Sequence, residues 1–129
     1  MIHLSPQEIL YLHHRLVAST GGTHSVRNVG LLESALAAAQ QTFGGQPLHA
    51  TKWDQAAALM RNLIQNHPFI DGNKRTAVSA AGIFLKMNGP ALMAEQQELV
   101  AFTLRAAQKE ISLEDIAAWF QAHATDQSA

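Results

Sequence analysis

The sequence predicts an all-α protein, a single bundle of about six helices filling residues 1–129, and three observations carry that reading. Alanine is abundant, proline occurs four times, and Val, Ile and Thr never cluster in the alternating runs that strands require. Apolar residues return every three or four positions in one segment after another. The stretch 77–85, Ala-Val-Ser-Ala-Ala-Gly-Ile-Phe-Leu, carries no charge on any side, which is the pattern of a helix buried at the centre of a bundle. A chain of 129 residues that is 47% apolar can bury a core as one domain. No repeat, low-complexity tract or long linker divides it.

The elements follow in order. Ser5-Pro6-Gln7-Glu8 joins a capping side chain, a proline suited to the first helical position and a glutamate that completes a capping box. Ile9, Leu12, Leu16 and Val17 then mark a face that runs to Thr20, and Gly21-Gly22 ends the helix. Asn28 caps a second helix with Leu32, Ala35, Leu36 and Ala39 at helical spacing. Residues 43–50, with Gly44-Gly45 and Pro47, break the period and form a loop or small hairpin. Thr51 opens a third helix on which Trp53, Ala56, Ala57, Met60, Leu63 and Ile64 recur, and Pro68 stops it near His67. The central helix spans about Asn73 to Asn88, with Gly89 as its stop. Gly82 within it is costly to helix stability and points to a close approach by another backbone. Helices from about Glu95 to Lys109 and Leu113 to Ala122 complete the bundle, and Asp126–Ala129 reads as a frayed tail.

Several function classes are excluded or disfavoured at once. The absence of cysteine removes disulfides and thiolate metal sites. A formal net charge of −1 argues against direct nucleic-acid binding by phosphate neutralisation. No stretch approaches the roughly 20 apolar residues of a membrane span, and Met-Ile-His-Leu-Ser-Pro lacks a signal peptide's basic start and apolar run. A cytoplasmic protein without a membrane partner is expected.

The chemistry concentrates in His67-Pro68-Phe69-Ile70-Asp71-Gly72-Asn73-Lys74-Arg75. The loop joins two apolar helices, so it lies where the core stops and a helix N-terminus begins. Free N–H groups and the positive end of the helix dipole suit that spot to an anion. Lys74 and Arg75 place two cations in a first turn where acidic residues normally stabilise; a bound phosphate would reverse the penalty. His67 is of the one side-chain type that ordinarily titrates near neutral pH, so it can take a proton from a hydroxyl. Asp71 can hold magnesium, Gly72 allows backbone to approach phosphate, and Asn73 can orient the loop or touch a phosphate oxygen. A base, a carboxylate for a metal and a cationic anion site are the parts of phosphoryl or nucleotidyl transfer. The other six histidines read as incidental; His13 and His14 are adjacent and point apart on a helix, a poor metal pair. Phe69 and Pro68 read as anchors of the loop.

These residues resemble the Fic superfamily, whose loop has the form His-x-Phe-x-(Asp/Glu)-Gly-Asn-x-Arg. His67, Phe69, Asp71, Gly72, Asn73 and Arg75 match every fixed place. Most Fic proteins have Gly where this chain has Lys74 and a second Arg where it has Val78, and they transfer AMP. The Asn-Lys-Arg form is similar to the death-on-curing branch. Further likeness lies in Gly21-Gly22, Arg27-Asn28, Gly30-Leu31-Leu32-Glu33-Ser34-Ala35-Leu36, Thr42-Phe43-Gly44-Gly45 and Phe84-Leu85 followed by Asn88-Gly89. The departures are Asn28 for the usual Asp, Ser25 for Gly and His49 for Tyr.

The resemblance implies a Fic-fold helical bundle and a protein kinase that acts as the toxin of a type II toxin–antitoxin pair. ATP and magnesium (Mg2+) are the implied cofactors. His67 would be the base and Asp71 the magnesium ligand; Gly72, Asn73, Lys74 and Arg75 would hold the phosphates, with Ser79 as a further polar contact. The ATP would lie reversed, presenting its γ-phosphate to a threonine of elongation factor Tu, and residues 43–50 would be the flap on which the target segment lies as an added strand. A Phd-type antitoxin would restrain the activity, since no segment resembles the inhibitory helix that some Fic proteins carry. AMP transfer is the nearest alternative, disfavoured by Lys74 and Val78; a binding module without activity is the next, disfavoured because base and metal ligand are both present.

Overall fold

A computed structural model describes residues 1–126. Six helices carry the fold: α1 (Pro6–Thr20), α2 (Val29–Ala39), α3 (Lys52–Asn66), α4 (Asn73–Met87), α5 (Gln96–Ala107) and α6 (Leu113–Ala122). Two antiparallel strand pairs accompany them. β1 (Thr42–Phe43) pairs with β2 (Gln46–Pro47), and β3 (Pro90–Leu92) pairs with β4 (Ala124–Asp126).

Helix starts are set locally. Ser5, Thr51 and Ser112 each accept from the N–H three residues on, with Glu8, Asp54 and Asp115 closing the reciprocal bond. Asn28 Oδ1 accepts from the Leu31 N–H at 3.1 Å. Pro6 occupies the first turn of α1, and Gly21, at φ 79°, takes the left-handed position that ends it.

The core forms around α4 as expected, and α3 shares the centre. Helix α3 packs against α2, α4, α5 and α6, while α4 packs against α1, α3, α5 and β3. Ala56, Ala57 and Ala58 on α3 and Ala77, Ala80 and Ala81 on α4 are all fully buried. Small side chains on both helices let their axes approach closely, and the larger Met60, Leu63, Phe84 and Leu85 fill the remaining space. Phe102 of α5 is stacked on Trp119 of α6 at 3.8 Å between ring centroids and meets Phe120 edge-on at 5.4 Å. That aromatic cluster docks the C-terminal pair of helices.

Three expectations change and one is narrowed. On α1 the buried line is Ile9, His13 and Val17, four residues apart, so a histidine belongs to the inner face while Leu12 and Leu16 lie at its margin. No backbone presses on Gly82: the nearest atom to a Cβ there would be Leu92 Cδ2 at 3.8 Å, an ordinary contact. Asp126 is the last residue of β4, opposite Pro90, rather than frayed; residues 127–129 lie outside the described part. The segment 43–50 resolves as a short hairpin turned through Gly44 and Gly45, both at positive φ.

Leu85, fully buried on α4, tests how firmly this centre is packed. Leu85→Ala is expected to lower unfolding free energy by about 2–5 kcal/mol in urea denaturation. A loss well under that would mean α4 is not held by its packing.

Candidate active site

The loop after α3 begins with a backbone reversal. His67 caps α3 in the left-handed region, φ 52° and ψ 56°, with its N–H donating to Leu63 O at 3.3 Å. A non-glycine residue pays about 1–2 kcal/mol for that conformation. Arg27 offsets it: its Nε donates to His67 O at 2.7 Å and its Nη2 to Asn66 O at 2.8 Å. Orphan carbonyls at the end of α3 thus receive a cation's donors. The segment before α2 runs alongside, with the Arg27 and Asn28 N–H groups on Pro68 O and the Ile70 N–H on Ser25 O. Val26 and Phe69 form an isolated bridge. Arg27 is therefore committed to shaping the start of the loop, with Nε and Nη2 on the His67 and Asn66 carbonyls.

Asn73 holds the other end. It is buried, its Oδ1 accepts from the Phe69 N–H at 3.0 Å, and its Nδ2 donates to Phe69 O at 2.8 Å. Of the two uses read for Asn73, its side chain performs the first, orienting the loop. Contact with a phosphate is left to its backbone N–H alone. Replacing it by alanine would strand two buried backbone groups, at about 1–3 kcal/mol each.

Phe69 is buried and lies flat on His13, ring centroids 3.7 Å apart and planes within 6°. His13 Nε2 is 2.7 Å from Asp71 O; the carbonyl accepts, so Nε2 carries the proton. Burial is the largest cause holding the His13 pKa below its ordinary 6.5, with His24 and His14 adding to the effect and the bond to Asp71 opposing it. This residue was read as incidental. The available signal was its place four residues from both Ile9 and Val17, which puts it on the inner face of α1.

Gly72 then starts α4 at φ 81°, and no side chain caps the helix. A Cβ at Gly72 would come within 3.3 Å of Val17 Cγ2, so both backbone and space demand glycine. The first helical bond is Thr76 N–H to Gly72 O, leaving the N–H groups of Asn73, Lys74 and Arg75 ahead of it. Lys74 and Arg75 are exposed, and among the described residues neither meets a carboxylate. Helices α1, α2, α3 and α6 all begin with a side-chain cap; α4 instead offers bare donors and two cations.

His67 and Asp71 are exposed on this surface. The Asp71 carboxylate takes one contact among the described residues, the Thr23 N–H on Oδ2 at 3.3 Å. No three His, Asp or Glu side chains converge there or elsewhere in the described part. A divalent cation at Asp71 would accordingly draw its other oxygens from a nucleotide and water, the usual manner of magnesium. The exposed Asp71 carboxylate, a hard anionic oxygen donor, fits such an ion. Ser79 lies half-buried one turn beyond Arg75 and makes no hydrogen bond among the described residues, not even back to its own helix. The surface is open. Two depressions of the fold lie away from it, one lined by His3, Leu36, Gln55 and Phe84, the other by Trp53, Glu114 and Gln121.

Comparison with known proteins agrees with this geometry. The Fic/DOC family profile matches residues 3–85, which contain the whole loop. The chain is similar to Toxin Doc of Mycolicibacterium smegmatis, 48% identical over 75 residues, 58% of this chain and 58% of that protein. It is also similar to Protein kinase doc of Escherichia phage P1, 30% identical over 117 residues, 91% of each. The match thus spans a little over half the length of the first relative and nearly all of the second.

The buried His13 makes stability pH-dependent. Its folded pKa lies below 6.5, so the unfolded chain binds the proton more readily. The contribution is complete above the ordinary histidine range and is lost as pH falls through about 6.5 toward the folded value. Melting temperature should fall on acidification from pH 7.5 to 5.5, and His13→Phe should flatten that slope. An unchanged slope would show that His13 is not kept neutral by the fold.

Proposed function

The chain belongs to the Fic/DOC family, and on that premise we propose that it is the toxin of a type II toxin–antitoxin pair, moving the γ-phosphate of Mg-ATP to a protein hydroxyl. The names of its two relatives, a toxin and a protein kinase, support both halves of that reading. The observation that carries it is the bare, cationic start of α4 beside an exposed histidine and an exposed carboxylate. A helix left without a side-chain cap, with Lys74 and Arg75 unpaired among the described residues, is stabilised by an anion of several charges.

In this reading the N–H groups of Asn73, Lys74 and Arg75, the two cationic side chains and the Ser79 hydroxyl hold the phosphates. Gly72 lets them approach the backbone. Asp71 would hold magnesium, which would supply charge neutralisation at the phosphates. His67 removes the acceptor's proton as the hydroxyl oxygen forms its bond to the γ-phosphorus. The bond from that phosphorus to the bridging oxygen breaks, ADP leaves, and the proton stays on His67. The αL turn at His67, held by Arg27, keeps the imidazole on the exposed side of the loop.

An open surface suits a protein acceptor. The hairpin of β1 and β2 exposes its strands, Phe43 at 83%, and an extended target segment could add to it by backbone pairing. A threonine of elongation factor Tu is the proposed acceptor, inhibition of translation the outcome, the cytoplasm the setting, and a Phd-type antitoxin the restraint. Lys74 favours phosphoryl over AMP transfer because it adds a cation where the AMP-transferring pattern has glycine, and Val78 removes one.

Elongation factor Tu incubated with the protein, ATP and magnesium should gain one phosphate by intact mass. His67→Ala should cut the rate about 10²–10⁴-fold, with the fold retained because the residue is exposed. An AMP-sized gain would transfer the proposal to adenylylation; no gain would remove this target. Lys74→Gly should slow phosphorylation by roughly tenfold or more, the scale of a lost charged hydrogen bond. Full activity in that variant would leave Lys74 without a role in selecting the reaction.

A further inference from the structure

We infer that His13 is a positioning residue for the metal-holding carboxylate: it fixes the backbone of Asp71, and with it the side to which that carboxylate is turned. The inference rests on the reading of Asp71 as the magnesium ligand. His13 lies 58 positions from Asp71 in the chain, is almost wholly buried at 1% exposure, and touches neither phosphate nor acceptor in the proposed arrangement.

An imidazole can offer a flat face and an in-plane N–H at once, and His13 uses both. The face lies on Phe69 at 3.7 Å and 6°, which sets the plane of the ring. The Nε2–H then donates within that plane to Asp71 O at 2.7 Å, which sets one point of the loop. Residues 69 and 71 are thereby fixed relative to each other and to α1. Gly72 closes the arrangement, since a Cβ there would stand 3.5 Å from His13 Nε2 and 3.3 Å from Val17 Cγ2; the peptide after Asp71 lies directly on α1. With the carbonyl turned inward, the carboxylate is left on the exposed side, where the Thr23 N–H reaches Oδ2.

A packing role alone would be met by any flat ring at this position. The N–H aimed at the Asp71 carbonyl is what phenylalanine would lack. Groups that support a metal ligand in this way act on metal affinity while standing outside the reaction.

The test compares full-length His13→Phe and His13→Gln with the unaltered protein. Free Mn²⁺ is followed by electron paramagnetic resonance during titration in the presence of ATP, and melting curves report the fold. His13→Phe keeps the stack and should melt as a folded protein, yet bind Mn²⁺ about tenfold more weakly. His13→Gln retains a donor and should recover part of that loss. In the transfer assay, the magnesium needed for half-maximal rate should rise by the same factor in His13→Phe, with the rate recovering at saturating magnesium. Unchanged Mn²⁺ affinity, or a rate that magnesium does not restore, overturns the inference. If His13→Phe does not fold, His13→Met serves as the variant without a donor, read by the same two criteria. No Mn²⁺ binding by the unaltered protein with ATP would overturn the reading of Asp71 and this inference together. Binding without transfer to any protein would overturn the proposed reaction alone, and the Mn²⁺ comparison would still decide the role of His13.

Discussion

The two hydrogen bonds between the buried Asn73 amide and the backbone of Phe69 are the constraint from which the form of the loop between α3 and α4 follows. The chain must leave α3 and enter α4 within six residues, and Phe69 must be buried on the way. Burying Phe69 takes its own N–H and carbonyl out of water, where they need partners. One asparagine supplies both, from the first residue of the next helix. Once it does so, it can no longer cap that helix outward, and Gly72 before it has no side chain to offer. The exposed donors at the start of α4 are thus a by-product of satisfying the loop from inside.

Arg27 completes the same logic from the other direction. It turns its charge toward the carbonyls of Asn66 and His67 and so holds a left-handed residue that would otherwise be disfavoured. The cations nearest in sequence, Lys74 and Arg75, are exposed and meet no carboxylate among the described residues. Charge is divided between building the loop and serving it, and the division is made by position: a guanidinium at the end of one helix stabilises, while two cations at the start of another do not. Stability is surrendered at the place where an anion would restore it, the pattern expected of functional sites.

Much of this was legible in the sequence because it is local. Ser5, Asn28, Thr51 and Ser112 announce helix starts through bonds that span three residues, and Pro68 announces an end. The loop was legible too, since its residues are contiguous and their chemistry is complementary. His13 was not, because its partners Phe69 and Asp71 are brought to it by tertiary packing, and a polar residue on an inner face reads as an exception to the apolar period. β3 and β4 were missed for a similar reason. Pro90-Ala91-Leu92 and Ala124-Thr125-Asp126 have no alternation and little β-propensity, and they pair across more than 30 intervening residues. Gly82 misled in the opposite way, as an intrinsic helix weakness with only Leu92 lying near it.

Beside the local Asn73 bonds, two of the contacts that hold the loop span the chain: 40 positions separate Arg27 from His67 and 58 separate His13 from Asp71. Each closes a long loop whose entropy must be lost before the contact returns anything. The local helices can form early, but the arrangement of residues 67–75 waits for α1, the segment before α2 and α4 to meet. A growing chain on the ribosome therefore holds no assembled site until α4 has emerged and docked. Any partially unfolded form that releases α1 gives up the geometry while keeping most of its helices, so helical content and the arrangement of residues 67–75 are separable properties of this protein.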